Sequence, residues 1–185
     1  MDAVATAFDS VPRAQFLPRG WRSSASYDGP IPIGAGQTNS QPRTVEAMLR
    51  LLEVRPGDRV LDVGSGSGWT TALLAFLTGP DGDVLGVELV PRLVAWGAKN
   101  LAGTGFGWAR IREATPGVVG APDAAPYDRI LVSADGGSVP QALVDQLTQD
   151  ARMVLPAAGR LVLVVRAGDR TETSEHGHYR FVPLR

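Results

Sequence analysis

From residue 42 onward the chain alternates between two apolar rhythms. Val45, Met48, Leu49 and Leu52 recur at helical spacing behind Pro42, a residue suited to a first helical turn, and this helix ends by Pro56-Gly57. Short apolar runs predict strands over residues 59–63, 83–88 and 129–133, with a weaker one over 109–112. Between them, helical spacing recurs over 69–77, where Leu73, Leu74 and Leu77 share one side, and over 92–101 and 140–147. Further strands are expected over 153–155 and 161–165, and a terminal one over 179–184 with Pro183 at its edge or end. Strands alternating with helices at this spacing predict an α/β fold, a doubly wound and mostly parallel sheet covered on both faces, with ligands at the carboxyl ends of the strands. The first forty residues lack a long periodic pattern and read as an arm or lid. Within them, five of the eight positions from Gly29 to Gly36 are Gly or Pro, which excludes a helix or a central strand and predicts a shaped loop.

Composition narrows the picture. The 185 residues suit one core, and 44% hydrophobic content with 22 Gly and 14 Pro suits a folded chain rich in tight turns. Eighteen basic against nineteen acidic residues, with no basic run, speak against nucleic acid as a partner. No cysteine is present, so disulfides, thiolate metal sites and cysteine nucleophiles are excluded. The opening Asp2-Ala3-Val4 lacks the basic-then-apolar order of a signal peptide, and no apolar run reaches the ~18 residues of a membrane span. The expectation is a cytoplasmic protein without a membrane partner, and a monomer.

Gly64-Ser65-Gly66-Ser67-Gly68 follows the first predicted strand and opens a helix, where glycine permits a tight turn and close approach of a ligand. Glu88 ends the next strand 20 residues after Gly68, the distance at which a carboxylate can accept from ribose hydroxyls. A dinucleotide pattern would need glycine where Trp69 stands. Asp62 would crowd a pyrophosphate but could help hold an amino-acid ammonium, which S-adenosylmethionine carries without any phosphate. The same residues also fit a plain turn, with Glu88 capping the following helix.

Several blocks, in order along nearly the whole chain, resemble the protein L-isoaspartyl (D-aspartyl) O-methyltransferases of the class I S-adenosylmethionine-dependent type. They are Val11-Pro12-Arg13 with Phe16-Leu17-Pro18, then Ile31-Pro32-Ile33-Gly34 running into Gly36-Gln37-Thr38-Asn39-Ser40-Gln41-Pro42. Val60-Leu61-Asp62-Val63 with the glycine turn, Ala125-Pro126-Tyr127-Asp128-Arg129-Ile130 and Arg180-Phe181-Val182-Pro183-Leu184 complete the set. The resemblance implies one methyltransferase domain over residues 1–185, with 1–42 as arm and substrate/cofactor loop and 43–185 as a Rossmann-like core. It implies methyl transfer to the α-carboxylate of isoaspartyl residues in damaged proteins or peptides, the ester then collapsing to a succinimide that reopens as aspartate. Ser40 falls on the family's active-site serine, with Gln37 and Thr38 in its loop and Arg180 and Val182 on the substrate groove. Asp62, Gly64, Ser65, Gly66, Gly68, Glu88, Leu89, Ala114 and Thr115 fall around S-adenosylmethionine.

Four features depart from the family pattern: only ten residues precede the Val-Pro-Arg block, Asn39 replaces an aliphatic residue, Ala114-Thr115-Pro116 stands where Gly-Asp-Gly is usual, and Asp150-Ala151 where Gly-Gly is usual. On spacing alone Ser40 also fits a helix cap, and Thr115 a plain loop residue. His176 and His178 would share one strand face but lack a third ligand, so no metal is expected. Trp21, Trp69, Trp96 and Trp108 read as packing residues. Another carboxylate or peptide acceptor, or a non-catalytic S-adenosylmethionine-binding module, stays open on sequence alone.

Overall fold

The computed structural model describes residues 2–183. Its frame is a seven-stranded sheet in the order β5-β4-β3-β6-β7-β8-β9. The central strands are β3 (Arg59–Val63), β4 (Asp83–Glu88), β5 (Ala109–Glu113), β6 (Tyr127–Val132) and β7 (Leu147–Ala157). These five pair in parallel, and the order reverses between β3 and β6, which opens a crevice at their carboxyl ends. β8 (Arg160–Ala167) and β9 (Arg170–His178) finish the sheet as an antiparallel meander.

Apolar residues line both faces because strand side chains alternate. Val60, Val84, Leu131 and Val154 pack with α2 (Pro42–Leu52) and α3 (Trp69–Thr78), whereas Leu61, Leu85, Ile130 and Met153 pack on the opposite face. α4 (Pro91–Ala102) follows β4 and lays Leu101 against the first cluster. The opposite face is covered by the 114–125 segment and by α5 (Gln141–Val144). The helix expected over 140–147 is thus a single turn. Gln146 ends it, donating from Nε2 to Val119 O and Ala142 O and accepting the Ala121 N–H at Oε1, and Leu147 then starts β7.

The arm differs from expectation. Ala3–Ser10 forms a helix, α1, whose Asp2 cap accepts the Val4 and Ala5 N–H groups at 3.1 and 3.2 Å. Its apolar positions Val4, Ala7 and Phe8, with Val11 just beyond, have helical spacing, so the residues before Val11 do carry a helix. Residues 13–16 and 19–24 make 3-10 turns. The glycine- and proline-rich loop holds a two-stranded hairpin, β1 (Ile31–Gly34) and β2 (Gln37–Asn39), separate from the main sheet. Trp69 joins the arm to the core: its indole N–H donates to Val11 O at 3.1 Å and its ring meets Phe8 edge-on. Trp21, expected to pack, is 45% exposed.

At the C-terminus the strand lies earlier than predicted, over β9, and the chain then crosses from β9 to the carboxyl end of β6, where Asp135 and Pro183 form an isolated bridge. Leu184 lies outside the described residues. The meander turns on polar, exposed positions of β9 that carry no apolar alternation, so its pairing with β8 could not be read from hydrophobicity. β9 bulges where Arg160 pairs His178 but Val162 pairs Glu175. With this bulge between them the two histidines do not share one face as expected: His176 Nε2 contacts Ser174 Oγ at 2.8 Å, whereas His178 lines the main cavity.

Asp62 fixes the start of α3 against β3. Fully buried, it accepts the hydroxyls of Thr70 and Thr71 through Oδ2, each at 2.7 Å, while Oδ1 has no partner. Burial pushes its carboxyl up to about 6, the two hydroxyl bonds opposing and the charge of Glu88 adding. Between the ordinary value of 3.8 and about 6 the folded state keeps a proton that the unfolded chain has released, so this residue's contribution to stability falls as pH rises through that window. Asp62→Asn should therefore gain in Tm relative to the parent as pH rises from about 4 to about 6, as followed by thermal unfolding. A Tm difference independent of pH would show that Asp62 titrates alike in both states.

Candidate active site

A cavity of about 980 Å³ opens over the carboxyl ends of the parallel strands, where the strand order reverses. Its floor is the glycine turn. Gly64 and Ser65 donate their N–H groups to Val87 O at 2.9 and 3.1 Å, which pins the turn to β4, and Ser133 donates to Val63 O at 2.9 Å from the end of β6. Positive φ at Gly64 (83°) and Gly66 (52°) leaves the backbone open toward the cavity. Gly68 serves a different purpose. A Cβ there would lie 2.9 Å from Gly97 O, so its role is the close approach of the turn to α4.

Of the residues expected around a cofactor, Gly64, Ser65, Gly66, Glu88, Leu89, Ala114 and Thr115 line this cavity. Asp62 and Gly68 do not; they lie behind the turn, one bonded to α3 and the other packed on α4. Glu88 is buried and accepts the Gly66 N–H at 3.0 Å and the Val90 N–H at 2.9 Å, so it orders both the turn and the entry to α4. Ser65 Oγ is buried without a partner at the cavity wall. An unpaired buried hydroxyl is costly unless something else occupies it, and here the fit is to a polar ligand group.

The opposite wall is the hairpin and the C-terminal run. Gln37, Thr38 and Ser40 line it from one side, and Arg180 and Val182 from the other. Ser40 is half-buried and its hydroxyl does not cap α2. That cap comes from a distance, since Asp28 Oδ1 accepts the Arg43 N–H at 3.1 Å while Oδ2 pairs with the Arg43 guanidinium at 2.9 Å. The Arg43 backbone bond, chief among its contacts, holds the Asp28 carboxyl below the usual range. Asp135 restrains the C-terminal run. It accepts the Gly137, Ala158 and Gly159 N–H groups, and its own N–H donates to Val182 O at 2.8 Å. Those backbone bonds lower its pKa.

Sequence reasoning gave Arg13 no role beyond the block it belongs to. The structure buries its guanidinium beneath the hairpin, where it donates to Asn39 Oδ1 at 2.7 Å and to the carbonyls of Ala25, Tyr27, Gly29, Asn39 and Ser40. Its Cζ lies 5.5 Å from the Trp69 ring centroid. Burial lowers its pKa to about 10, which leaves it charged at neutral pH. Ser133 was also missed; its position at the end of a parallel strand beside the order reversal was the available signal. Among the described residues no group of three or more His, Asp or Glu could hold a metal, and no helix is long and apolar enough to cross a membrane.

A family profile described as Protein-L-isoaspartate(D-aspartate) O-methyltransferase matches residues 1–185. The protein-L-isoaspartate O-methyltransferase of Methanopyrus kandleri is 42% identical over 98% of this chain and 82% of its own length. That of Methanocella arvoryzae is 41% identical over 95% of both. Among solved structures, a protein-L-isoaspartate O-methyltransferase superposes with a TM-score of 0.87 at 24% identity; it covers 100% of this chain, which spans 62% of that structure's length. At that identity the likeness shows the fold. A Plasmodium falciparum structure described as a protein-L-isoaspartate O-methyltransferase in complex with S-adenosyl-L-homocysteine gives 0.84 at 25% identity, covering 100% of this chain and 91% of that one. With a profile spanning the whole sequence and relatives this similar over nearly all of it, the chain belongs to the protein-L-isoaspartate(D-aspartate) O-methyltransferase family.

Proposed function

We infer that this protein transfers a methyl group from S-adenosylmethionine to the α-carboxylate of L-isoaspartyl residues in proteins or peptides. The observation that carries this is one cavity with two unlike walls: the glycine turn and Glu88 on one side, and the Gln37–Ser40 hairpin strand with Arg180 and Val182 on the other. Family membership, and a structural relative holding S-adenosyl-L-homocysteine, support the same reading. Gly64, Ser65 and Gly66 would hold the methionine end, the unpartnered Ser65 hydroxyl supplying a hydrogen bond. Glu88 would accept from the ribose, and Leu89, Ala114 and Thr115 would flank the adenine, with no carboxylate among those three. When bound, S-adenosylmethionine supplies a methyl group activated by its sulfonium.

The residues of the chain need only hold the reactants and keep water away. An α-carboxyl, with a reference pKa of about 3.5, is ionised at neutral pH, so no general base is required. Ser40 would donate one hydrogen bond to that carboxylate and fix its direction, and holding reactants within about 3–3.5 Å and in line can contribute ~7–11 kcal/mol. A dense cationic site would stabilise the anion more before reaction than after its charge has been neutralised. Consistent with this, the Arg13 guanidinium is turned into the loop beneath the cavity and Arg43 is paired with Asp28. The hairpin and the 179–183 run provide the cover that lowers the local dielectric. A cytoplasmic monomer stands beside this as a proposal, to be checked by fractionation and light scattering.

With methyl-labelled S-adenosylmethionine and two peptides differing only in one L-isoaspartyl or L-aspartyl residue, base-labile label should appear on the isoaspartyl peptide alone. Label on neither, with cofactor binding intact by calorimetry, would overturn the acceptor assignment and favour the non-catalytic reading. Ser40→Ala should lower turnover by about one to two orders of magnitude, ~1.4–2.7 kcal/mol, with S-adenosylhomocysteine affinity nearly unchanged. Glu88→Ala should instead weaken S-adenosylhomocysteine binding about tenfold or more in calorimetry, and equal affinity would remove it from the cofactor wall.

A further inference from the structure

We propose that Asn39 is a positioning residue that sets the acceptor loop in register with the turn facing the methyl donor. Its side chain is 4% exposed and bridges the two walls of the cavity. Oδ1 accepts from Arg13 Nε at 2.7 Å, and Nδ2 donates to Ser67 Oγ at 3.1 Å. A carboxamide fits this place because one end must accept from a cation and the other must donate to a hydroxyl, so Arg13 also fixes which way the amide faces. Ser67 is itself anchored, its carbonyl accepting from Asn100 Nδ2 of α4 at 2.9 Å. Beside it Ile33 Cδ1 lies 3.2 Å from where a Cβ on Gly66 would stand, so the hairpin touches the turn through one apolar and one polar contact. The Asn39 backbone is held too, since its carbonyl and that of Ser40 both accept from Arg13 Nη2, at 3.1 and 2.9 Å. Ser40 therefore projects from a backbone whose distance to the glycine turn is set by the residue before it.

The proposal rests on the reading of Ser40 as the acceptor-side donor, and Asn39→Ala, Ser67→Ala, their double variant and Asn39→Asp test it in the 185-residue chain. Asn39→Ala should lower kcat for an isoaspartyl peptide about tenfold, with the Kd for S-adenosylhomocysteine within about threefold of the parent. Ser67→Ala should act in the same direction, and the double variant should be no worse than Asn39→Ala, because both remove one link. Asn39→Asp can accept from Arg13 and from the Ser67 hydroxyl, so it should recover kcat to within about threefold. A kcat for Asn39→Ala within about twofold of the parent, losses that multiply, or an Asp variant as impaired as the Ala variant would each overturn the proposal. Ser40→Ala measured alongside separates the two readings: wild-type turnover there with an impaired Asn39→Ala removes Ser40 and keeps Asn39. Hydrogen exchange gives a readout independent of turnover. S-adenosylhomocysteine should slow exchange across residues 36–40 in the parent and not in Asn39→Ala, and equal protection in both would count against the link.

Discussion

The site depends on one buried cation. Arg13 has no carboxylate within ion-pair distance among the described residues, and its guanidinium is instead satisfied by one side-chain amide and five backbone carbonyls from residues 25–40. Four of those carbonyls, of Ala25, Tyr27, Gly29 and Ser40, lie outside the two short hairpin strands, so the hairpin ladder does not serve them and they need another source of donors. Guanidinium suits the task because its five N–H groups lie in a fixed plane, and it stays charged even where burial lowers its pKa. A loop of this composition would otherwise sample many shapes, and ordering each residue costs about 1–2 kcal/mol of backbone entropy.

Trp69 connects that cation to the core. It begins α3, is 3% exposed, carries the Arg13 guanidinium against its ring and bonds to Val11 at the end of α1. The residue that argues against a dinucleotide pattern thus joins the arm to the glycine turn. Through it, and through Asn39 and Ser67, the N-terminal forty residues and the parallel sheet form opposite walls of one cavity. The C-terminal run closes the third side, held by Asp135.

Such a site suits a reaction whose nucleophile is already an anion. It offers a hydroxyl and apolar cover, and of the arginines nearby Arg43 is paired with Asp28 and Arg13 is turned into the loop. Arg180 lines the rim on an exposed position. Geometry and desolvation, in place of proton transfer, are what this arrangement can contribute.

The parallel core was legible in the sequence, because buried strands and amphipathic helices impose periodic apolar patterns: β3 and β4 fall where the apolar runs predict them, and α3 and α4 differ by a residue at their ends. The glycine turn and Glu88 were legible from local chemistry, Gln37, Thr38 and Ser40 from the family resemblance, and the fold brings them to one cavity. Other features were not. α5 is cut short by the long-range bonds of Gln146, β9 is an exposed strand ordered by its pairing with β8, and Asp62 and Gly68 lie in or beside the glycine turn yet face the protein behind it. Arg13, Asn39 and Ser67 stand 26 and 28 residues apart along the chain and meet through side-chain hydrogen bonds. Sequence by itself determined the elements and the residue types available to the site, because periodicity and turn chemistry are local; which of those residues face the cavity and which hold the loop was decided by tertiary structure, because hydrogen bonds between distant side chains leave no periodic trace.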